Sequence, residues 1–284
     1  MTTTAPISNA VTARRLFPAL LAWLTCLCMA LPLRAEPIDE LVEALQIDSM
    51  IEVMRVEGMA YGEELAEEMI PGGSNLAWQD LLEQIYDAGK MRTIVRQGFA
   101  EVIEDSDPAP LIAFFSSDLG QKIITLELEA RRAMIDDEVE EAARQAYLDL
   151  KGSEDPRLDQ LRRFVVVNDL LETNVTGALN ASFRFYSGLV DGGGLQMAEG
   201  DILADVWSQE EETREDTREW LFAYLLLAYE PLEDDELEAY IALSETTQGR
   251  ALNRALFAGF NDMYNEISYA LGLAASRQMQ QQDL

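Results

Sequence analysis

The sequence predicts an all-α protein: two tandem helical-bundle repeats that form a pseudo-dimer, preceded by a signal peptide. Three observations carry this. Apolar residues recur at helical spacing along nearly the whole chain, and no stretch alternates as a strand would. Much of the chain is written twice. Asp39, Leu41, Leu45, Ile47, Asp48, Ile51 and Glu52 recur 120 places later as Asp159, Leu161, Val165, Val167, Asn168, Leu171 and Glu172, and after an insertion Trp78, Gly120 and Met134 recur 129 places later as Trp207, Gly249 and Met263. The N-terminus, finally, joins a basic pair to a short apolar run and a small residue.

That N-terminal segment is expected to be residues 1–35. Arg14 and Arg15 precede the apolar run Leu16 to Leu33, and a cut is favoured after Ala35, with Ala30 as the alternative. An uncleaved anchor is the competing reading. Pro18 and Pro32 leave the run short of the roughly 20 apolar residues a bilayer requires. The Arg-Arg-Leu-Phe run partly matches a twin-arginine signal, but Ala13 and Pro18 weaken that match. Neither Cys26 nor Cys28 follows the small residue of a lipoprotein signal.

The first repeat is expected over 36–151. Ile38, Leu41, Val42 and Leu45 form one apolar face of a short helix. Asp48 is placed to cap a longer helix that runs to about Met69 and stops at Pro71-Gly72-Gly73. Leu76 to Tyr86 and Met91 to Ile103 continue the apolar face, with Gly89 and Gly98 expected to loosen it. Asp105 to Pro110 breaks the chain. Leu111 to Phe115 is a short apolar helix, and Ser117 or Asp118 opens a long one through Tyr147. Gly152 to Pro156 is short, polar and proline-terminated, and reads as the boundary.

The second repeat, 157–277, follows the same plan. Phe164 to Val167 is β-prone, but its counterpart Ala44 to Ile47 is a helix end, so helix is expected. Trp220 to Tyr229 is an apolar run too short for a bilayer and reads as a buried helix. Glu233 to Glu236 places acids at the positive end of the next helix. Thr246 or Thr247 opens the last one, and 278–284 is expected to fray. Trp78 and Trp207 are expected at equivalent core positions.

Composition removes whole classes of chemistry. There is no histidine, and both cysteines lie in the signal segment. Thiol nucleophiles, imidazole bases, ordinary zinc sites and carboxylate-histidine di-iron sites are therefore excluded. The full chain has a net charge of −31; loss of Arg14, Arg15 and Arg34 from its 21 basic residues leaves 18 against 52 acidic ones. A field of that sign repels nucleic acid and anionic lipid. No nucleotide-binding glycine motif, calcium loop or other cofactor-binding constellation is present. The clusters Glu63, Glu64, Glu67, Glu68 and Asp136 to Glu141 read as solvated helix faces. Met50, Met54 and Met59 share one helix face and read as core; soft-metal ligation is the weaker alternative.

Leu111-Ile-Ala-Phe-Phe-Ser-Ser-Asp-Leu-Gly-Gln-Lys-Ile123 resembles the signature of the bacterial "domain of unknown function 2059" family. Glu238 to Leu252 is a second, slightly longer version, with Arg250 in place of a lysine. The resemblance implies exported, all-helical domains with no assigned activity, once per repeat. It supplies no catalytic residue. The physical reading of the motif is structural: Phe114, Phe115 and Tyr240 bury an aromatic face, Ser117 and Thr246 cap the next helix, and Gly120 and Gly249 let the preceding helix approach closely.

The functional expectation is a periplasmic, non-enzymatic interaction or scaffold module with unidentified protein partners, no nucleic acid and no stable membrane insertion once the signal is cut. Two alternatives stand beside it. One is a carrier or chaperone-like holder of an apolar ligand or polypeptide, which a large apolar pocket with few polar groups would favour. The other is a hydrolase that uses a carboxylate pair alone.

Overall fold

The computed structural model describes residues 35–281, so the expected signal segment lies outside the described residues except for Ala35. The described chain is all-α. Its helices are α1 (Ala35–Ala44), α2 (Ile47–Met69), α3 (Leu76–Ile85), α4 (Ala88–Ile103), α5 (Ala109–Phe115), α6 (Asp118–Ala133), α7 (Asp137–Leu150), α8 (Pro156–Val167), α9 (Leu170–Asp191), α10 (Glu199–Ser208), α11 (Glu210–Tyr229), α12 (Asp234–Ser244) and α13 (Thr247–Gln281). The two halves list their helices in one order: short, long, short, long, short, then α6 and α7 or the single α13.

Side chains set most of the helix starts. Asn75, Asp87, Ser117, Asp136 and Asp155 each accept a hydrogen bond from a backbone N–H in the first turn of the helix they precede. Glu233 and Glu236 form a reciprocal capping box at α12. α11 begins ten residues before its apolar run, at Glu210. Its acidic first turn suits the positive helix end, and Arg214 bonds back to Glu210 at 2.8 Å.

Three local expectations change. Asp48 does not cap α2: the turn before it is made by Gln46 in the left-handed region (φ 49°), and Asp48 instead pairs with Arg92 of α4 at 3.2 Å. The helix opened by Ser117 does not run unbroken through Tyr147. It ends at Ala133, and Asp136 caps a new helix by accepting from the Glu138 N–H at 3.0 Å. At the C-terminus α13 continues past 278 to Gln281, where a frayed tail was expected. Gln278 is buried, and the Gln280 amide donates to the Gly192 carbonyl at 2.8 Å.

Trp78 and Trp207 do not occupy equivalent places. Trp78 is fully buried, its indole N–H donating to the Gly62 carbonyl at 2.9 Å, whereas Trp207 is 60% exposed. The buried pair Trp78 and Leu82 on α3 has its counterpart in Ile202 and Val206 on α10, which pack on α9. Trp207 follows Val206 by one residue, about 100° around the helix, and so falls off that packed face.

Packing does not divide at Gly152–Pro156. One core joins residues between Leu41 and Leu128 to Leu189 and to the α13 residues Ala251 to Ala275. A second joins Ile123, Ala130 and Tyr147 to Leu158 through Ile241. The last helix of each half thus lies against the other half: α13 packs on α4 as well as α9, and α6 and α7 pack on α11. Glycines set the α13 contacts. Gly259 meets α4, where a Cβ would stand 2.4 Å from the Val95 carbonyl oxygen, and Gly272 meets α9, where a Cβ would stand 2.1 Å from that of Phe185. Gly98, expected to loosen α4, instead lies backbone to backbone against α13: a Cβ there would lie 2.9 Å from the Cα of Gly259. Among the described residues no helix is long and apolar enough to cross a membrane.

Candidate functional site

The motif residues come together across the chain. Phe114 and Phe115 pack edge to face at 5.2 Å, and Tyr240 stacks on Phe114 at 5.9 Å although it lies in the other half. Tyr240 also meets Phe164 at 5.0 Å, which extends the ring cluster into α8. The two glycines have matching surroundings. A Cβ at Gly120 would stand 2.2 Å from the Phe114 carbonyl oxygen, and one at Gly249 would stand 2.1 Å from that of Leu243. Ser117 Oγ accepts from the Gly120 N–H at 3.1 Å, and Thr246 Oγ1 accepts from the Gly249 N–H at 2.9 Å. Each glycine sits where its helix begins against the backbone of the helix before it. Gly120→Val is therefore expected to cost about 3 kcal/mol in urea unfolding, because backbone cannot move aside as a side chain can. An unchanged midpoint would refute the close-approach account.

Tyr240 and Gly249 also face a partly open cavity of about 560 Å³ lined by α9, α11, α12 and α13, with α2, α6 and α8 completing its wall. That volume lies within the roughly 300–1,000 Å³ of small-molecule sites. Most of its wall is apolar: Met50 and Met54 from α2, Leu221 and Leu225 from α11, and Leu252, Leu256, Phe257 and Phe260 from α13. Met54 is buried and Met50 half-buried, so the methionine face serves as core and cavity wall together.

One wall is polar. Glu127, half-buried on α6, lines the cavity, and its Oε1 accepts from the Tyr229 hydroxyl at 2.5 Å. The Tyr224 hydroxyl donates to the Glu127 carbonyl at 3.2 Å. Burial pushes the Glu127 carboxyl up to about 7, against the lowering effect of hydrogen bonds from Tyr229 and Tyr240. Burial first, and then the neighbouring Glu127 charge, push the Tyr224, Tyr229 and Tyr240 phenols well above their usual value.

One turn along α6, Arg131 turns to another partner. Its Nε and one terminal nitrogen each donate to a Glu57 carboxylate oxygen at 2.8 Å, and its guanidinium lies 5.7 Å from the centre of the Trp220 ring. Arg131 is thereby neutralised by Glu57, and Glu127 has no cationic partner among the described residues.

Sequence reasoning missed both residues, although a signal existed. Glu127 and Arg131 continue the spacing of the buried Ile123 and Ile124, and residues 129 places later are Leu256 and Phe260. All four line this cavity. Where one half presents leucine and phenylalanine, the other presents glutamate and arginine. The acidic clusters singled out in the sequence face solvent instead: Glu64, Glu67, Glu68, Asp136, Asp137, Glu138 and Glu141 are all exposed.

Residues 89–147 match the family model described as "Uncharacterized protein conserved in bacteria (DUF2059)". No curated protein and no solved structure matches the chain. The DUF2059-like segment runs from α4 into α7 and holds Phe114, Phe115, Ser117, Gly120, Glu127 and Arg131. Most of the cavity's apolar wall comes from residues beyond it, on α9, α11 and α13.

Proposed function

We propose that this chain is an exported, non-enzymatic binding protein that holds a small, largely apolar molecule in the cavity beside Glu127. The observation that carries the proposal is the cavity itself: small-molecule size, a largely apolar wall of leucine, methionine and aromatic rings, the hydrogen-bonded cluster at Glu127, and a scatter of amides and hydroxyls such as Asn174, Asn253 and Asn261. A pocket of this kind was the feature that separated a carrier from a pure interaction module. Export rests on the N-terminal Arg14 and Arg15, the apolar run and Ala35.

The proposal includes two copies of the DUF2059-like unit. Its support is the shared helix order, the matching surroundings of Gly120 and Gly249, and the reciprocal packing of α13 on α4 and of α6 and α7 on α11. Equivalent faces of α6 and α13 then meet at the cavity. One carries Glu127 and Arg131 where the other carries Leu256 and Phe260.

Titration with a neutral naphthylamine dye tests the binding reading. Wild-type protein should enhance its fluorescence saturably. Ala181→Phe, which fills part of the cavity wall, should weaken binding by about tenfold or more through lost volume. Absence of saturable binding, or equal binding by the variant, overturns the proposal.

A protein partner is the second reading. Leu203 and Trp207 stand one turn apart on α10, 48% and 60% exposed, and form a small apolar face.

A further inference from the structure

We infer that the cavity selects organic cations: a protonated amine or quaternary ammonium carried on an apolar body. This inference rests on the binding role proposed above and specifies the chemistry of the occupant. Four observations support it.

The first is an unmatched acid. The Glu127 carboxyl lines the cavity with hydroxyl partners and no cationic one. A carboxylate removed from water without a counter-charge is costly, and a ligand that brings the charge offsets that cost. The second is the neighbouring positive charge: Arg131 is already neutralised by the paired oxygens of Glu57, so it neither repels a cation strongly nor stands free to receive an anion. The third is the wall beside Glu127. Trp220 and Tyr224 stack at 5.3 Å with only 8° between their planes, and Tyr229 and Tyr240 complete an aromatic surround. Ring faces attract cations, and Trp220 already receives the Arg131 guanidinium on its face. The fourth is the field of the chain, net −31, which concentrates cations around it and disfavours anionic ligands.

Three probes with one apolar body separate the possibilities: 3-phenylpropyltrimethylammonium, 3-phenylpropanol and 3-phenylpropionate, each titrated calorimetrically into purified protein at pH 8. The ammonium should bind about tenfold or more tighter than the alcohol, and the carboxylate weakest. Glu127→Gln should abolish the ammonium's advantage over the alcohol; a helical circular dichroism spectrum and a wild-type urea midpoint near pH 4.5 show that the variant is folded. For wild type the ammonium affinity should rise between pH 5.5 and 8. The probe does not titrate. Of the groups around Glu127, the Tyr224, Tyr229 and Tyr240 phenols are pushed well above this range, Arg131 is paired to Glu57, and Asp216, the other acid of the lining, is paired to Arg144 at 3.1 Å; the Glu127→Gln profile, measured over the same range, should be flat.

If the alcohol binds and the ammonium binds no tighter, cation selection is wrong while the binding role stands. If the advantage survives Glu127→Gln, or the pH profile is flat, the assignment to Glu127 is wrong. If none of the three binds, both readings fall.

Discussion

Gly272→Val is expected to remove a large share of the stability of this protein. Gly272 lies where α13 crosses α9, and the contact is backbone on backbone: a Cβ there would stand 2.1 Å from the Phe185 carbonyl oxygen and 3.1 Å from the Leu189 nitrogen. The facing residue repeats the constraint, since a Cβ at Gly188 would lie 2.2 Å from the Tyr269 carbonyl oxygen. Neither helix can yield by changing a rotamer, so the axes must part. α13 also packs on α4 through Gly259 and Gly98, so a shift away from α9 drives it into its other neighbour. Overpacking of this kind costs about 3 kcal/mol or more, a large share of the roughly 5–15 kcal/mol that holds a typical domain together. Chemical denaturation measures it. Gly200→Ala is the control: nothing lies within 4 Å of its Cβ position, and it sits in the first turn of α10, so it should be neutral or slightly stabilising. Equal midpoints for Gly272→Val and wild type would overturn the account of α13 as a helix wedged between two backbones.

Glu127→Gln is expected to change how stability depends on pH. The folded Glu127 carboxyl sits at about 7, raised by burial from an ordinary value of 4.5. The folded state therefore holds its proton more tightly than the unfolded state. Its contribution is fully favourable below about pH 4.5 and is lost progressively as pH rises to 7. The shift corresponds to about 3 kcal/mol of relative destabilisation above pH 7. Repulsion among the chain's many acids slopes the same way, so the informative quantity is the difference between wild type and variant at each pH. Glutamine preserves the acceptor for Tyr229 and never ionises. The variant should match wild type near pH 4.5 and exceed it at pH 8. Urea midpoints measured across this range test the claim, and parallel curves would show that Glu127 is not held out of water.

Helices that carry a strong apolar stripe were legible in the chain. α2, α5, α8, α12 and α13 stand close to where periodicity and caps place them, and the repeat correctly outweighed the β-prone run Phe164 to Val167, which is helical in α8. The Ser117–Gly120 and Thr246–Gly249 caps were legible too, because a cap is a hydrogen bond between residues three apart. The misplacements have local causes. An aspartate early in a helix serves as a cap, a first-turn acid or an ion-pair partner, and only the distance from Asp48 to Arg92 decides among them. Trp207 matches Trp78 by letter, but it stands 60% exposed on α10.

The cavity was not legible as a site. Glu127 reads in isolation as one more charge in an acidic helix. Its significance depends on Tyr229, about a hundred residues later, on Arg131 being taken by Glu57, and on α11 and α13 supplying the apolar wall beside it.

Helical class, repeated helix order, capping and the lack of any imidazole follow from residue types and short-range spacing, because they depend on composition and on interactions within a few positions along the backbone. How the halves share their cores, where glycine lets α13 lie against α9 and α4, and which acid out of 52 faces a cavity with no counter-charge depend on surfaces far apart in the chain. Those are decided by shape and burial, which arise only once the helices have packed.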